Sequence, residues 1–99
     1  MKKTLTIEDI KKAVARIAPE YKITKATLFG SRARGNFRED SDIDLIVEFD
    51  EKKIVTLLDL SGIMIDLEEI FGLKVDIVTR GGLKKSYLEI DKEIEIYAA

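Results

Sequence analysis

The chain has 99 residues, 36% of them charged, and a formal net charge of −2. A mildly acidic balance argues against gripping nucleic acid by bulk electrostatics, and the length fits one domain over 1–99 with a thin core. Histidine and cysteine are both absent, which excludes a Ser-His-Asp triad, a thiol nucleophile, disulfides and an ordinary zinc site.

Carboxylates, hydroxyls, lysine, arginine and bound ions are what remain for chemistry. There is no run of 18 apolar residues, and the start MKKTLTIEDIKK lacks the apolar stretch of a signal peptide. The expectation is a soluble, cytoplasmic chain without membrane association.

Taken in order, Thr6 is placed to cap a helix, with Glu8 and Asp9 in its first turn. Ile7, Ile10, Val14 and Ile17 then recur at helical spacing, and Pro19 is expected to end the run. Residues 25–29, KATLF, favour a strand that stops at Gly30. A short helix is expected after Ser31, breaking at Gly35-Asn36, followed by a second strand over 42–49, DIDLIVEF.

From Ile54 to Phe71 the helical period returns, with Leu57, Leu60, Met64, Leu67 and Phe71 on one stripe. Ile63, Ile65 and Ile70 widen that stripe, and Gly72 stands where a left-handed terminus belongs. Residues 73–79, LKVDIVT, read as a third strand, and Gly81-Gly82 as a turn. Beyond them Leu83, Tyr87, Ile90, Ile94 and Tyr97 share one face of an expected C-terminal helix. The fold class is therefore α/β (α+β), a small mixed sheet flanked by helices.

Alternate strand residues share a face. Ile43, Leu45, Val47 and Phe49 are expected in the core, which sends Asp42, Asp44, Ile46 and Glu48 to the opposite face. Asp42 and Asp44 then stand about 7 Å apart. At an effective dielectric near 20 their mutual repulsion is about 2 kcal/mol. A cation between them removes that cost, and hard oxygen ligands suit Mg²⁺ or Mn²⁺.

In the third strand Val75 and Ile77 face the core and turn Asp76 outward, where it joins the pair if the two strands are neighbours. Three such carboxylates could hold two ions about 3.5–4 Å apart, the arrangement used for in-line phosphoryl chemistry. Each aspartate taken singly also fits a solvated strand residue.

Gly30 follows a strand and Ser31 opens a helix, so backbone N–H groups can approach an anion there. Arg32 and Arg34 could add charge for a polyphosphate, with Arg38 helping from the loop. Alone, such a segment is more often a plain turn. Placed just before a divalent-ion site it suggests a nucleoside triphosphate.

The segments GSRARG, SDIDLIVEF and VDIVT resemble the nucleotidyltransferase superfamily whose core is similar to the palm of DNA polymerase beta. Ten residues separate Ser31 from Asp42, matching the family's G-S-x(10)-D-x-D pattern, and Asp76 supplies the later acidic residue. The length resembles the minimal nucleotidyltransferase subgroup, the antitoxin of HEPN/MNT toxin–antitoxin pairs.

The resemblance implies that Gly30, Ser31, Arg32 and Arg34 bind ATP. It implies that Asp42, Asp44 and Asp76 are catalytic and ligate two Mg²⁺ ions, with Mn²⁺ an alternative. It further implies adenylyl transfer to a hydroxyl, a tyrosine of the HEPN-type toxin. The competing reading is an antitoxin that neutralises its partner by binding alone. Small-molecule modification is disfavoured without a second helical domain, direct nucleic-acid binding is not expected, and homo-oligomerisation stays open.

Overall fold

The computed structural model describes residues 5–79 and 92–99. Helix α1 (Ile7–Tyr21) begins at a reciprocal cap. The Asp9 N–H donates to Thr6 Oγ1 at 3.1 Å, and the Thr6 N–H donates to Asp9 Oδ2 at 2.9 Å. The helix continues through Pro19, contrary to the expected stop. The proline forfeits only the bond its N–H would make to Ala15, and the last turn is anchored from outside. Tyr21 Oη donates to Asp66 Oδ2 at 2.6 Å, and Lys22 closes the helix in the left-handed region.

Strand β1 (Ile23–Phe29) starts two residues before the expected 25–29 and carries a bulge between Ile23 and Lys25. A single turn of helix, α2 (Ser31–Arg34), follows, then β2 (Ile43–Phe49). Helix α3 (Leu57–Phe71) begins later than Ile54 because Thr56 and Asp59 form a second reciprocal cap. The Asp59 side chain also meets Lys53 Nζ at 3.3 Å.

Leu57 is 82% exposed and does not belong to the core stripe. Ile63 and Leu67 are the fully buried residues of α3, with Leu60, Met64 and Phe71 packed beside them. Gly72 ends the helix in the left-handed conformation, and β3 (Val75–Thr79) follows.

The last described element corrects the sequence reading. Residues Ile94–Ala98 form β4, a strand antiparallel to β1, and not the end of a helix. Ile96 is its buried residue. The Gly81-Gly82 turn, and Leu83, Tyr87 and Ile90 of the expected helix, lie outside the described residues.

The sheet is mixed, in the order β3-β2-β1-β4. β1 is antiparallel to β2, and β2 is parallel to β3, the two joined through α3. One cluster unites Ile10, Val14 and Ile17 of α1, Ile63 and Leu67 of α3, and the sheet residues Leu28, Ile43, Leu45 and Val75.

The opposite face is not uniformly wet. Ile46, expected there with the aspartates, is fully buried between Thr27 of β1 and Val78 of β3. The acidic residues occupy the end of that face where β2 begins. No helix among the described residues is long and apolar enough to cross a membrane.

Candidate active site

Two strands and one turn assemble the acidic centre. Asp44 stands in register with Asp76 on β3 and with Phe29 on β1. Beyond Phe29 the chain turns at Gly30 with φ +78°, a conformation that side chains rarely adopt. A β-carbon at Gly30 would overlap Asp44 Oδ2. The glycine therefore does two things: it lets β1 turn sharply into α2, and it leaves room for a carboxylate against the backbone.

Asp44 is pushed up to about 6, first by burial, then by the charge of Asp76 and a hydrogen bond to it, then by Asp42. Arg34 acts in the opposite direction. Its guanidinium is exposed on α2, near enough for its charge to reach Asp44. Asp42 and Asp76 are both part-buried. Asp42 follows a turn in which the Arg38 N–H donates to Ser41 Oγ at 2.8 Å and the Ser41 N–H to the Arg38 carbonyl at 3.1 Å. Ser31, half-buried, opens α2, whose first N–H groups have no acceptor within the helix.

Arg32, expected among the nucleotide-binding residues, is the buried one of the two arginines of α2. Its side chain is turned inward, 4% exposed, and donates to main-chain carbonyls of the segment that leads into β2. Burial lowers its pKa from the ordinary guanidinium value; an arginine nevertheless stays charged. Phe37 covers the guanidinium, with the ring centroid 4.8 Å from Cζ.

Phe37 and Ser41 were not singled out from the sequence. Ser41, immediately before Asp42 and three residues after Arg38, carries a turn signal; Phe37 carries none.

Among the described residues no three acidic, imidazole or thiolate side chains already converge as a metal cage. The donor chemistry still fits a hard dication. Asp44 and Asp76 stand in register and Asp42 adds its charge to the same end of the sheet, so a bound cation would relieve the crowding that raises Asp44.

Residues 7–98 match the nucleotidyltransferase domain family. The chain belongs to that family. As a nucleotidyltransferase it is an enzyme of the group-transfer type, built on the mixed sheet that carries Asp44 and Asp76.

Among its relatives is MJ1379 of Methanocaldococcus jannaschii, provisionally named a protein adenylyltransferase. It is 37% identical over 94 residues, covering 91% of this chain and 92% of the relative. The protein adenylyltransferase MntA of Thermococcus cleftensis is 34% identical over 84 residues, covering 81% and 83%.

A solved complex of tri-AMPylated Shewanella oneidensis HEPN toxin with MNT antitoxin shares the fold. Its TM-score is 0.67 at 13% identity, covering 95% of this chain and 74% of that one.

Proposed function

We propose that this nucleotidyltransferase moves an adenylyl group from ATP to a hydroxyl of a partner protein, a tyrosine of a HEPN-type toxin, and so acts as an antitoxin. The observation that carries the reading is the in-register pair Asp44–Asp76 set against the side-chain-free backbone of Gly30. The names of the two adenylyltransferase relatives and of the AMPylated toxin complex support the acceptor class.

In this reading Gly30 and Ser31 offer main-chain N–H groups and a hydroxyl to the triphosphate, and Arg34 adds positive charge at its exposed edge. Asp42, Asp44 and Asp76 would hold Mg²⁺, or Mn²⁺ in its place. Bound there, the dications supply Lewis acidity towards the acceptor hydroxyl and neutralise charge on the departing pyrophosphate.

Asp76 stands to take the acceptor's proton. The acceptor oxygen forms a bond to the α-phosphorus as the bond to the bridging oxygen of pyrophosphate breaks. No histidine is needed at any point.

The test is transfer of label from α-labelled ATP to the co-expressed partner in the presence of Mg²⁺. Asp76→Asn is expected to lower the rate by about 10²–10⁴-fold, the range for loss of a general base. Equal labelling by wild type and Asp76→Asn, or none by either, overturns the reading.

A second reading, neutralisation by contact alone, draws on one observation. Ile54, Leu57 and Leu58 are each more than four-fifths exposed at the start of α3, an apolar surface suited to a protein partner. Neutralisation that survives the double change Asp42→Asn, Asp44→Asn would favour it.

A further inference from the structure

The sequence leaves a mechanical problem. Ten residues separate Ser31 from Asp42, and the last seven of them, 35–41, lie outside any helix or strand. Yet the group that faces the triphosphate and the first aspartate must keep a fixed distance. We infer that Arg32 is the positioning residue that sets this distance, tying the Gly30-Ser31 turn to the main chain on which Asp42 is carried.

The Ser41 carbonyl is the centre of the tie. Arg32 Nε donates to it at 3.2 Å and Nη2 at 3.1 Å, while Nη2 also donates to the Glu39 carbonyl at 3.1 Å and lies 3.5 Å from that of Arg38. The peptide unit is planar, so the Ser41 oxygen, the Asp42 nitrogen and the Asp42 Cα lie in one plane. Holding that oxygen at two points orients the plane.

The next peptide plane is held independently. The Ile43 N–H donates to the Lys74 carbonyl, just before β3, at 2.9 Å. Asp42 therefore sits between two anchored planes. Its backbone is thus restrained from both sides, while its side chain is free of these ties.

The choice of arginine follows from the same geometry. A planar fork can meet several carbonyls at once, whereas an ammonium is a point donor on a flexible stem. The partners are carbonyl dipoles and not a carboxylate, so the tie adds no negative charge to a crowded acidic site. Phe37 closes the outer side of the guanidinium and keeps water from competing for the bonds. Because Arg32 is the residue after Ser31, movement of either half of the site is transmitted to the other.

This inference rests on the reading of the site given above, but its test does not need transfer activity. Arg32→Lys keeps the charge and loses the fork. Amide hydrogen exchange of the metal-free protein is expected to quicken by about tenfold or more at Arg38 and Ser41, whose N–H groups close the turn that Arg32 holds, corresponding to at least ~1.4 kcal/mol of lost protection. Exchange at Ile43, held by Lys74, is the internal control and stays slow.

Affinity for a non-hydrolysable ATP analogue in chelator is expected to change by less than about twofold. The Mg²⁺ concentration that half-saturates its metal-dependent binding is expected to rise by about 10–100-fold, as when a group behind a metal ligand is removed.

Unchanged exchange at Arg38 and Ser41 overturns the inference. So does a tenfold loss of metal-free analogue affinity, which would make Arg32 a direct phosphate contact. If Arg32→Lys does not fold, Phe37→Leu is read by the same three measurements, with the same directions expected and the same results fatal. Failure of wild-type protein to label a partner would count against the proposed transfer and leave these outcomes to decide Arg32.

Discussion

Asp44 and Asp76 face one another across the parallel β2–β3 pair, and Asp76 is itself among the causes that raise Asp44 towards neutrality. Two acids in register on adjacent strands are a standing cost to the folded chain without a cation. That cost is measurable in the melting temperature.

The first prediction concerns pH. Asp44 has a folded pKa of about 6 against 3.8 for an ordinary aspartate. An acid that holds its proton more tightly when folded stabilises the native state most below the unfolded value. That stability is lost as pH rises through about 6. In chelator, Asp44→Asn is therefore expected to melt a few degrees above wild type at pH 8, with the gap closing near pH 4. Thermal melts across pH 4–8 check this; an Asn variant that melts lower than wild type at pH 8 contradicts it.

The legibility of this site in the sequence has a physical basis. Strand alternation has a period of two, and the apolar members of DIDLIVEF and VDIVT occupy only one parity near the aspartates, so the acidic face follows. The sequence leaves the adjacency of β2 and β3 conditional; the helix-length segment between them permits the parallel pairing found in the sheet. The role of Arg32 was not legible, because its partners are backbone carbonyls, which every residue possesses. A charged side chain reads as solvated or ligand-facing until the fold encloses it.

Strand β4 was missed for a different reason. Ile94 and Tyr97 fit helical spacing, yet Ile94 and Ile96 alternate with Glu93 and Glu95 at strand spacing. Over five residues both periods are satisfied, and the decision comes from pairing with β1, a partner almost seventy residues away. The start of α3 was misplaced because apolar periodicity was followed past Thr56, whose T-x-x-D pattern marks the true boundary.

Gly30→Ala is the second prediction. The added methyl meets a left-handed backbone and the Asp44 carboxylate together. A loss of about 1–3 kcal/mol is expected from backbone strain, and a larger one from the displaced carboxylate. Removing that carboxylate should recover part of the loss. In a denaturation cycle with Asp44→Ala, the two changes are expected to be less than additive by more than about 0.5 kcal/mol. Strict additivity would mean that the close approach of Gly30 to Asp44 is not what requires glycine.

The third prediction tests the clip between α1 and α3. Tyr21 is pushed up to about 12, chiefly by its hydrogen bond to Asp66. The stability this bond contributes is present below pH 10 and lost as pH rises through about 12. Phenolate absorbance should show one tyrosine ionising late, and Tyr21→Phe should abolish that late step at a cost of about 1–2 kcal/mol.

The same phenol sets the limit on Gly62. A β-carbon there would lie 2.7 Å from Tyr21 Oη, so Gly62→Ala should be costly in wild type and milder in the Tyr21→Phe background. A late-titrating tyrosine that persists in Tyr21→Phe refutes the assignment.

The last prediction separates the two faces of α3. Ile63 is 1% exposed, one of the two fully buried residues of the helix, while Leu58 five residues earlier is 84% exposed. Truncation of Ile63 leaves a cavity among Val14, Leu67 and their neighbours in the core. Ile63→Ala is expected to cost about 2–4 kcal/mol, lowering the melting temperature by about 10 °C or more in a chain this small. Leu58→Glu should change the stability of the isolated chain by less than about 0.5 kcal/mol, since it leaves no void and strands no polar group. Both values come from the same chemical denaturation series. Near-equal losses would mean that the surface of α3 carrying Leu58 is covered in solution, and that the helix is rotated from the orientation its burial pattern describes.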